Sequence, residues 1–159
     1  METLIPEASV VVQKAIANNH LRPGALLPIL HEVQEQLRYI PAAAVPAIAK
    51  ALNLSRAEVH GVITFYHHFR QEMPGRHSVQ ICRAEACQAS GAEALAAHAH
   101  NVTGCQWHET TADDMLTLEP AYCLGHCAAG PAIMIDDMPH ARVSPAQFDQ
   151  LIAALQEAS

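Results

Sequence analysis

Long apolar runs, basic residues and aromatic side chains are all scarce in this chain of 159 residues. No apolar run approaches about 18 residues and the mean hydropathy is +0.07, so we expect no helix that inserts into a membrane. The stretch METLIPEASVVVQ lacks the basic start and unbroken apolar core of a secretory signal, which favours a cytoplasmic location. Nine Lys and Arg against 16 Asp and Glu give a net charge of −7, which disfavours nucleic-acid binding.

Three motifs that accompany enzymatic sites are also missing from the sequence. It contains no Gly-x-Ser-x-Gly nucleophile motif, no phosphate-binding loop and no Gly-x-Gly-x-x-Gly dinucleotide fingerprint. We therefore expect no catalytic residue in this chain and no NAD or flavin bound by it alone.

Four of the five cysteines form two short pairs, and these are the strongest chemical signal in the sequence. Cys82 and Cys87 lie in CRAEACQ, and Cys123 and Cys127 lie in CLGHC after 35 intervening residues. In a reducing cytoplasm, paired thiols favour metal or redox chemistry over structural disulfides. Both spacings suit a structural zinc ion as well as an iron–sulfur cluster, so spacing alone leaves the two open. Cys105 stands outside the pairs and is expected to be a small buried apolar residue without a role.

Residues 1–75 have balanced charge, with six basic and six acidic side chains, and their apolar residues repeat with helical spacing. The pattern predicts four short helices, the last of which begins with a capping box of Ser55 and Glu58. A DNA-binding helix-turn-helix over residues 48–59 is a competing interpretation. Packing between helices explains the same spacing, and the segment offers few side chains for bases. Residues 71–75 break the helical pattern and predict a linker.

Residues 76–159 carry ten acidic and three basic side chains, and the apolar period changes to two after the linker. The pattern predicts four strands, over residues 77–82, 116–119, 132–135 and 140–143. Two helices are predicted to begin at capping boxes, one formed by Ser90 with Glu93 and the other by Ser144 with Gln147. Together the two parts predict an α+β protein, with a small helical bundle over residues 1–75 and an α/β domain with a small mixed sheet over residues 76–159.

Each cysteine pair follows a predicted strand. If the first two strands run parallel, both pairs leave the same edge of the sheet, where α/β proteins place ligands. Gly125 and Gly130 allow backbone N–H groups to turn toward a buried anion such as a thiolate-bound cluster. The domain is large enough to fold without a metal staple, and Met134 among aliphatic strand residues provides a dry surround. Both features favour an iron–sulfur cluster without excluding zinc.

Several stretches resemble a known family, namely LPILHEVQEQLRYIP, LNLSRAEVHGVITFYHHF, CRAEACQ and CLGHCAAGPAIMID. Over about residues 20–157 the chain resembles the small thioredoxin-like 2Fe–2S subunit of respiratory complex I. It looks closest to the gamma subunit of soluble, molybdenum-containing, NAD-dependent formate dehydrogenases, because CRAEACQ favours that branch. The resemblance implies a helical bundle followed by a thioredoxin-like domain. It also implies that Cys82, Cys87, Cys123 and Cys127 ligate one 2Fe–2S cluster.

The function that the resemblance implies is electron transfer within a multisubunit NAD-dependent dehydrogenase, most closely a formate dehydrogenase. FMN, NAD and the molybdenum cofactor are then expected on partner subunits that also carry further Fe–S centres. The aromatic residues 65–69 are the candidate docking surface of the helical bundle. The alternatives are a 2Fe–2S subunit in the peripheral arm of complex I and a zinc-stapled interaction module. A thiol oxidoreductase is disfavoured, since it would need a Cys-x-x-Cys pair.

Four further residues are expected around the cluster because they lie within or beside the cysteine pairs. They are Arg83, Gly125, His126 and Gly130. Of these, Arg83 and His126 are candidates for tuning the cluster, and Arg83 is also a candidate for contacting a partner. The remaining histidines show no recurring ligand spacing and are expected at the surface.

Overall fold

The computed structural model describes residues 5–157, and the chain divides into two compact units, one ending at Met73 and the other beginning at Pro74. Each unit buries a hydrophobic core of its own. Within the described residues, no helix has both the length and the apolar character that a membrane span requires.

The first unit is a bundle of four α-helices, as the helical spacing predicts. They are α1 (Pro6–Asn19), α2 (Leu26–Leu37), α3 (Val45–Leu52) and α4 (Arg56–Phe65), with a 3-10 turn at Ala42–Ala44 before α3. Their apolar faces meet in a core whose fully buried members include Val12, Ile29, Leu30, Val33, Ile48 and Val59. Burial of these side chains stabilises short helices that would be marginal in isolation.

The predicted capping box at the start of α4 is confirmed. The Ser55 hydroxyl accepts a hydrogen bond from Glu58 N at 3.1 Å, and the Glu58 carboxylate accepts one from Ser55 N at 2.8 Å. The backbone hydrogen bond from Ser55, and then the one with its hydroxyl, lower the pKa of Glu58. The box therefore satisfies N–H groups that the start of a helix would otherwise leave without partners.

The loop after α4 is fastened to α2 by a buried glutamine. The Gln34 side chain donates to the His68 carbonyl at 2.7 Å and accepts a hydrogen bond from Arg70 N at 2.7 Å. Near the start of this loop, the Phe65 and Tyr66 side chains are 74% and 43% exposed. The glutamine clamp therefore holds a segment that presents two aromatic rings to solvent.

The second unit is built on a five-stranded mixed sheet in the order β2-β3-β1-β4-β5. The strands are β1 (His77–Cys82), β2 (Glu109–Thr110), β3 (Leu116–Ala121), β4 (Ile133–Ile135) and β5 (Met138–His140). Strands β1 and β3 run parallel, and the other neighbours pair antiparallel. The helices of this unit are α5 (Glu85–Ala89), α6 (Ala92–Thr103) and α7 (Pro145–Glu157). The predicted α+β class with a small mixed sheet is confirmed.

The core of the second unit lies between the sheet and the helices α6 and α7. Ile81, Leu118, Ile133 and Phe148 are fully buried in it. Cys105 belongs to the same cluster, and burial raises the pKa of its thiol. This is the environment that the sequence predicts for an apolar cysteine outside the two pairs.

The capping box at the start of α7 is confirmed as well. Gln147 N donates to the Ser144 hydroxyl at 3.3 Å, and Ser144 N donates to the Gln147 side-chain oxygen at 2.9 Å. Pro145 occupies the first helical position, where its missing N–H costs no hydrogen bond. Local sequence alone was sufficient to locate this helix start.

The predicted capping box of Ser90 and Glu93 is wrong. A short helix, α5, precedes α6 and carries Cys87, so this cysteine lies on a helix and not in a loop. The Ser90 hydroxyl donates back to the Ala86 carbonyl at 2.8 Å, and Gly91, with a φ of +100°, occupies the N-cap of α6. Because Ser90 completes the end of α5, it does not cap the start of α6.

The last strand is shifted relative to the prediction over residues 140–143. Asp136 and Asp137 have positive φ values of 46° and 69° and form a two-residue turn. Such a turn reverses the chain at once, so β5 begins at Met138, which pairs with Ile135. Strand β2 has only two residues, too few for an alternating pattern, and the sequence did not predict it.

Candidate metal centre

The parallel pairing of β1 and β3 brings both cysteine pairs to one edge of the sheet. In register, Cys82 at the end of β1 lies opposite Ala121 at the end of β3. The pairing continues one residue further, where Arg83 N donates to the Ala121 carbonyl at 2.6 Å. Cys87 then follows on α5, and Cys123 comes two residues after β3. The two strands are parallel, as a shared edge requires.

The first pair is buried. Cys82 and Cys87 are 2% and 1% exposed and pack with Ala92 and Ala132 in a small apolar cluster of their own. Burial raises the pKa of the Cys87 thiol, its hydrogen bond with Cys82 raises it further, and a backbone hydrogen bond from Ala132 opposes both effects. Cys82 N also donates to the Ala132 carbonyl at 3.0 Å. Backbone hydrogen bonding between the end of β1 and the residue before β4 therefore fixes the position of Cys82.

The second pair is exposed, and its sulfurs, on Cys123 and Cys127, are 3.9 Å apart. Gly125 has a φ of +77°, and its N–H donates to the Cys123 sulfur at 3.4 Å. The hydrogen bond with Cys123, and then the negative charge of the Cys123 thiolate, raise the pKa of Cys127, and the charge of Cys82 makes a smaller contribution in the same direction. The two pairs therefore interact electrostatically across the site.

Gly130 permits a close contact between the segment after Cys127 and the helix α5. A Cβ atom at this position would lie 3.2 Å from both Cβ and Oγ of Ser90 and 3.3 Å from the Cα of Cys87. The φ of Gly130 is −73°, so the glycine supplies space here, which differs from the predicted use of its flexibility to turn an N–H group. The chain that follows Cys127 thus packs directly on α5, the helix that carries Cys87.

His126 shapes the exposed loop through its backbone. Its carbonyl accepts a hydrogen bond from Ala129 N at 2.9 Å and opens a 3-10 turn at Cys127–Ala129. Its side chain is partly buried beside Cys127. The hydrogen bond shows that the residue contributes to the geometry of the turn, and the expected tuning of the cluster by His126 stays a prediction.

Arg83, directly after Cys82, is held by two side chains. Its Nη2 atom donates to the two oxygens of the Glu93 carboxylate at 2.9 and 3.2 Å. The guanidinium carbon lies 5.4 Å from the ring centre of Trp107, within cation–π range. The Nε atom is buried, and the described residues provide no hydrogen-bond partner for it. A buried donor without an acceptor is costly, and such a donor favours an anionic group in its surroundings.

The four thiols form two pairs at one sheet edge. Among residues 5–157, no three His, Cys, Asp or Glu side chains converge closely enough to hold a single metal ion. A 2Fe–2S cluster is bound by four thiolates and has two irons to share between them, so two pairs of soft donors fit it.

The sequence matches the family described as Thioredoxin-like [2Fe-2S] ferredoxin over residues 12–156. The chain belongs to this family. The predicted 2Fe–2S cofactor and the predicted thioredoxin-like fold are thereby confirmed. Since ferredoxins carry electrons, the chain is an iron–sulfur electron-transfer protein, and the match extends over most of both units.

The chain is also similar to subunits of two kinds of oxidoreductase, found among curated relatives and solved structures. A subunit of the NADH-quinone oxidoreductase of Pseudomonas aeruginosa is 36% identical over 131 residues, covering 82% of this chain and 79% of the relative. The corresponding subunit from Escherichia coli K12 is 34% identical over 129 residues, covering 81% of this chain and 78% of the relative. An NAD+-reducing [NiFe]-hydrogenase in the air-oxidized state matches with a TM-score of 0.69 and 29% identity over 87% of this chain. This chain spans about a quarter (24%) of that hydrogenase chain.

These relatives do not show the predicted closeness to the formate dehydrogenase gamma subunit. Their names refer to NADH-quinone oxidoreductase and to an NAD+-reducing hydrogenase. The complex I alternative therefore fits the relatives better than the formate dehydrogenase interpretation does.

Two residues that contact Arg83 were missed by sequence reasoning. Interpreting Glu93 as half of a capping box hid its ion pair with a residue ten positions earlier. Trp107 is the single tryptophan of the chain, and an aromatic face suits a basic side chain. Sequence distance offers no reason to pair that ring with Arg83, because Trp107 lies in the loop after α6 and the contact depends on how that loop packs beside the end of β1.

Proposed function

We propose that the four paired cysteines ligate the 2Fe–2S cluster, with Cys82 and Cys87 on one iron and Cys123 and Cys127 on the other. The observation that carries this proposal is the parallel register of β1 and β3, which ends both strands at one edge. Within each pair the sulfurs are already close, sharing a hydrogen bond in the first pair and lying 3.9 Å apart in the second. When bound, such a cluster accepts and donates one electron at a time.

The chain's own residues supply the setting for this chemistry. Burial of Cys82 and Cys87 keeps water from one side of the site. On the other side, the Gly125 N–H group points at the Cys123 sulfur, and hydrogen bonds to sulfur stabilise its negative charge. Gly130 lets the second loop lie against α5 without a steric clash. The protein thus contributes the ligands, excludes water from one side of the site and supplies backbone hydrogen-bond donors, while the one-electron chemistry belongs to the cofactor.

We further propose that the chain is an electron-transfer subunit of a multisubunit, NAD-linked oxidoreductase of the complex I type. The names of the relatives support this, because both kinds combine electron transfer with NAD or NADH. This chain has no dinucleotide fingerprint, so the flavin and NAD sites belong to a partner subunit. The exposed edge at Cys123 and Cys127 is the route by which electrons pass between the cluster and that partner.

A formate dehydrogenase is the second candidate, and one observation favours it. The first cysteine pair stands in CRAEACQ, the form that resembles the gamma subunit of those enzymes. In such a complex, formate is oxidised at a molybdenum cofactor on another subunit, and the electrons reach NAD through Fe–S centres and a flavin.

Anaerobic purification of the full chain tests the ligand proposal. Iron and acid-labile sulfide are counted, zinc is measured in the same sample, and electron paramagnetic resonance (EPR) is recorded after reduction. Two irons and two sulfides per chain are expected. Stoichiometric zinc without iron would overturn the proposal.

The reductant that reaches the cluster tests the identity of the complex. The complex is purified from its native source, and NADH, formate and dihydrogen are added separately while the EPR signal of the cluster is followed. Reduction by NADH but not by formate supports the complex I type. Reduction by formate added alone, with no NADH present, supports the second candidate. If none of the three reductants reduces the cluster, both candidates are contradicted.

We also propose that the helical unit docks the partner subunit through Phe65 and Tyr66, whose rings are exposed beside the Gln34 clamp. Replacing both rings together, Phe65→Ser with Tyr66→Ser, should weaken co-purification with the flavin subunit. Val10→Ser is the matched control, because this side chain is also apolar and exposed but lies on α1. Unchanged binding of the double variant, or equal losses in both proteins, would contradict the docking proposal.

A further inference from the structure

Arg83 occupies a position that the ligand proposal leaves without a task. It follows Cys82 directly, and its backbone continues the β1–β3 pairing through a hydrogen bond to Ala121. Its side chain is 30% exposed and does not extend freely into solvent, because Glu93 holds one end of the guanidinium and Trp107 lies against it. A fixed positive charge therefore stands at the first residue after a candidate ligand.

The charges of Arg83 and Glu93 do not cancel completely, because the two side chains differ in exposure to solvent. The Glu93 side chain is 55% exposed, so solvent screens its charge more than it screens the half-buried guanidinium. The buried Nε–H is part of the same guanidinium, and the described residues leave it without an acceptor that would offset its positive charge. Because the anion is better screened than the cation, we expect the pair to have a net positive effective charge next in sequence to Cys82.

We propose that Arg83, positioned by Glu93 and Trp107, favours the reduced state of the cluster and so raises its reduction potential. The inference rests on the proposed function, since it requires the cluster to be ligated by the neighbouring cysteines. Reduction transfers one electron from an external donor, which is the partner subunit in the complex and a mediator dye in a titration. No bond forms or breaks, and the cluster becomes one unit more negative. A nearby positive charge stabilises that added charge more than it stabilises the oxidised state.

A purely structural role for the same ion pair makes a different prediction. If Arg83 and Glu93 only fasten the first loop to α6, removal of either partner breaks the same contact. Both changes would then disturb the cluster in the same direction. If the electrostatic proposal holds, removal of the cation and removal of the anion have opposite effects.

EPR-monitored redox titration of the full chain separates these two roles. Arg83→Met removes the charge and keeps most of the side-chain length. At a fixed poised potential it should lower the ratio of reduced to oxidised cluster roughly three- to tenfold. A tenfold change corresponds to 59 mV for one electron. Glu93→Gln should raise the same ratio by a smaller factor, because the anion that it removes is better solvated.

Two further variants complete the test. Arg83→Lys keeps the charge without the planar fork and should shift the ratio less than Arg83→Met does. Arg76→Met is the matched control, because Arg76 precedes β1 and lies about 20 Å from Cys82, at the far end of a six-residue strand. It should leave the ratio unchanged.

The outcomes distinguish this inference from the function on which it rests. Shifts of the same sign in Arg83→Met and Glu93→Gln, or no shift in either, overturn the electrostatic role while the cluster remains. If Arg83→Met fails to retain a cluster, Glu93→Gln decides alone, and a ratio that does not rise overturns the proposal. A wild-type chain that lacks iron and sulfide instead overturns the proposed function itself.

Discussion

The two cysteine pairs differ in almost every physical respect although they lie at one edge of one sheet. Cys82 and Cys87 are buried, one at the end of a strand and the other on a helix. Cys123 and Cys127 are exposed, and a short loop that turns at Gly125 connects them. The pKa of Cys87 is raised chiefly by burial, whereas the pKa of Cys127 is raised chiefly by its neighbour Cys123.

This difference assigns separate tasks to the two halves of the site. The buried pair is held by the fold, because β1 and α5 carry the two cysteines while Ala92 of α6 and Ala132, just before β4, pack against them. The exposed pair faces the surface, where a partner can approach within the short distances that electron transfer needs. In the proposed 2Fe–2S site, the buried side would therefore provide attachment and the exposed side would provide access.

Replacing one proposed ligand of each pair by serine, in separate variants, should produce the largest difference in cluster content. Cys87→Ser should lose nearly all iron, because the buried position admits no water to replace a thiolate. Cys127→Ser should retain part of the cluster with an altered visible spectrum, because water can complete an exposed site. Iron and sulfide per chain, with circular dichroism to confirm folding, measure the contrast. Equal retention in the two variants would show that exposure does not separate the pairs.

Forcing the two loops apart should have the next largest effect. Gly130→Ala places a methyl group 3.2–3.3 Å from Ser90 and the Cys87 backbone, tighter than ordinary contacts. Overpacking of this kind should lower the free energy of unfolding by about 1–3 kcal/mol and reduce the cluster content. Thermal unfolding and iron counting measure both effects. Ser90→Gly in the same chain should restore part of the loss, since it removes two of the clashing atoms, and the absence of any rescue would contradict the contact.

Changing only the exposed loop should have a smaller effect. Gly125→Ala meets open space but places a side chain at a φ of +77°, which costs about 1–2 kcal/mol for a residue other than glycine. The expected result is a modest loss of stability, with the cluster kept and its reduction potential shifted downward as the Gly125–Cys123 hydrogen bond weakens. Redox titration measures the shift. A potential equal to that of the wild type would show that this donor does not affect the cluster.

Removing the cysteine outside both pairs should leave the cluster unchanged. Cys105 is buried in the core of the second unit, away from the small apolar cluster around Cys82 and Cys87. Cys105→Ala should cost about 1 kcal/mol of stability through lost burial and leave the iron content and the EPR spectrum as in the wild type. Loss of iron in this variant would place Cys105 among the ligands and end the two-pair description.

Much of the fold was predictable because its signals are local. The capping boxes at Ser55 and Ser144 and the alternation over residues 77–82 each depend on neighbours within a few positions. The grouping of the cysteines was predictable too, given parallel strands, because Cys82 ends β1 and Cys123 follows β3.

The predictions from the sequence were wrong or incomplete where a short segment is compatible with two local structures. The Ser90 hydroxyl can accept from an N–H group ahead of it or donate to a carbonyl four residues behind it, and tertiary packing selects the second. Strand β2, with two residues, exists only through its pairing with β3. The contacts of Arg83 with Glu93 and Trp107 likewise depend on where α6 lies, and no periodicity in the sequence encodes that.

The parallel pairing of β1 with β3 also bears on when the cofactor can enter. Cys82 and Cys123 come to the same edge of the sheet only after β1, which ends at Cys82, has paired with β3, which begins at Leu116. Such pairing between strands distant in sequence is slow to form. If the four cysteines ligate the cluster as proposed, all of them are in place only after the sheet has formed. A chain whose sheet has formed but whose cluster has not been inserted would then present two thiols, Cys123 and Cys127, at its surface, where oxidants can reach them.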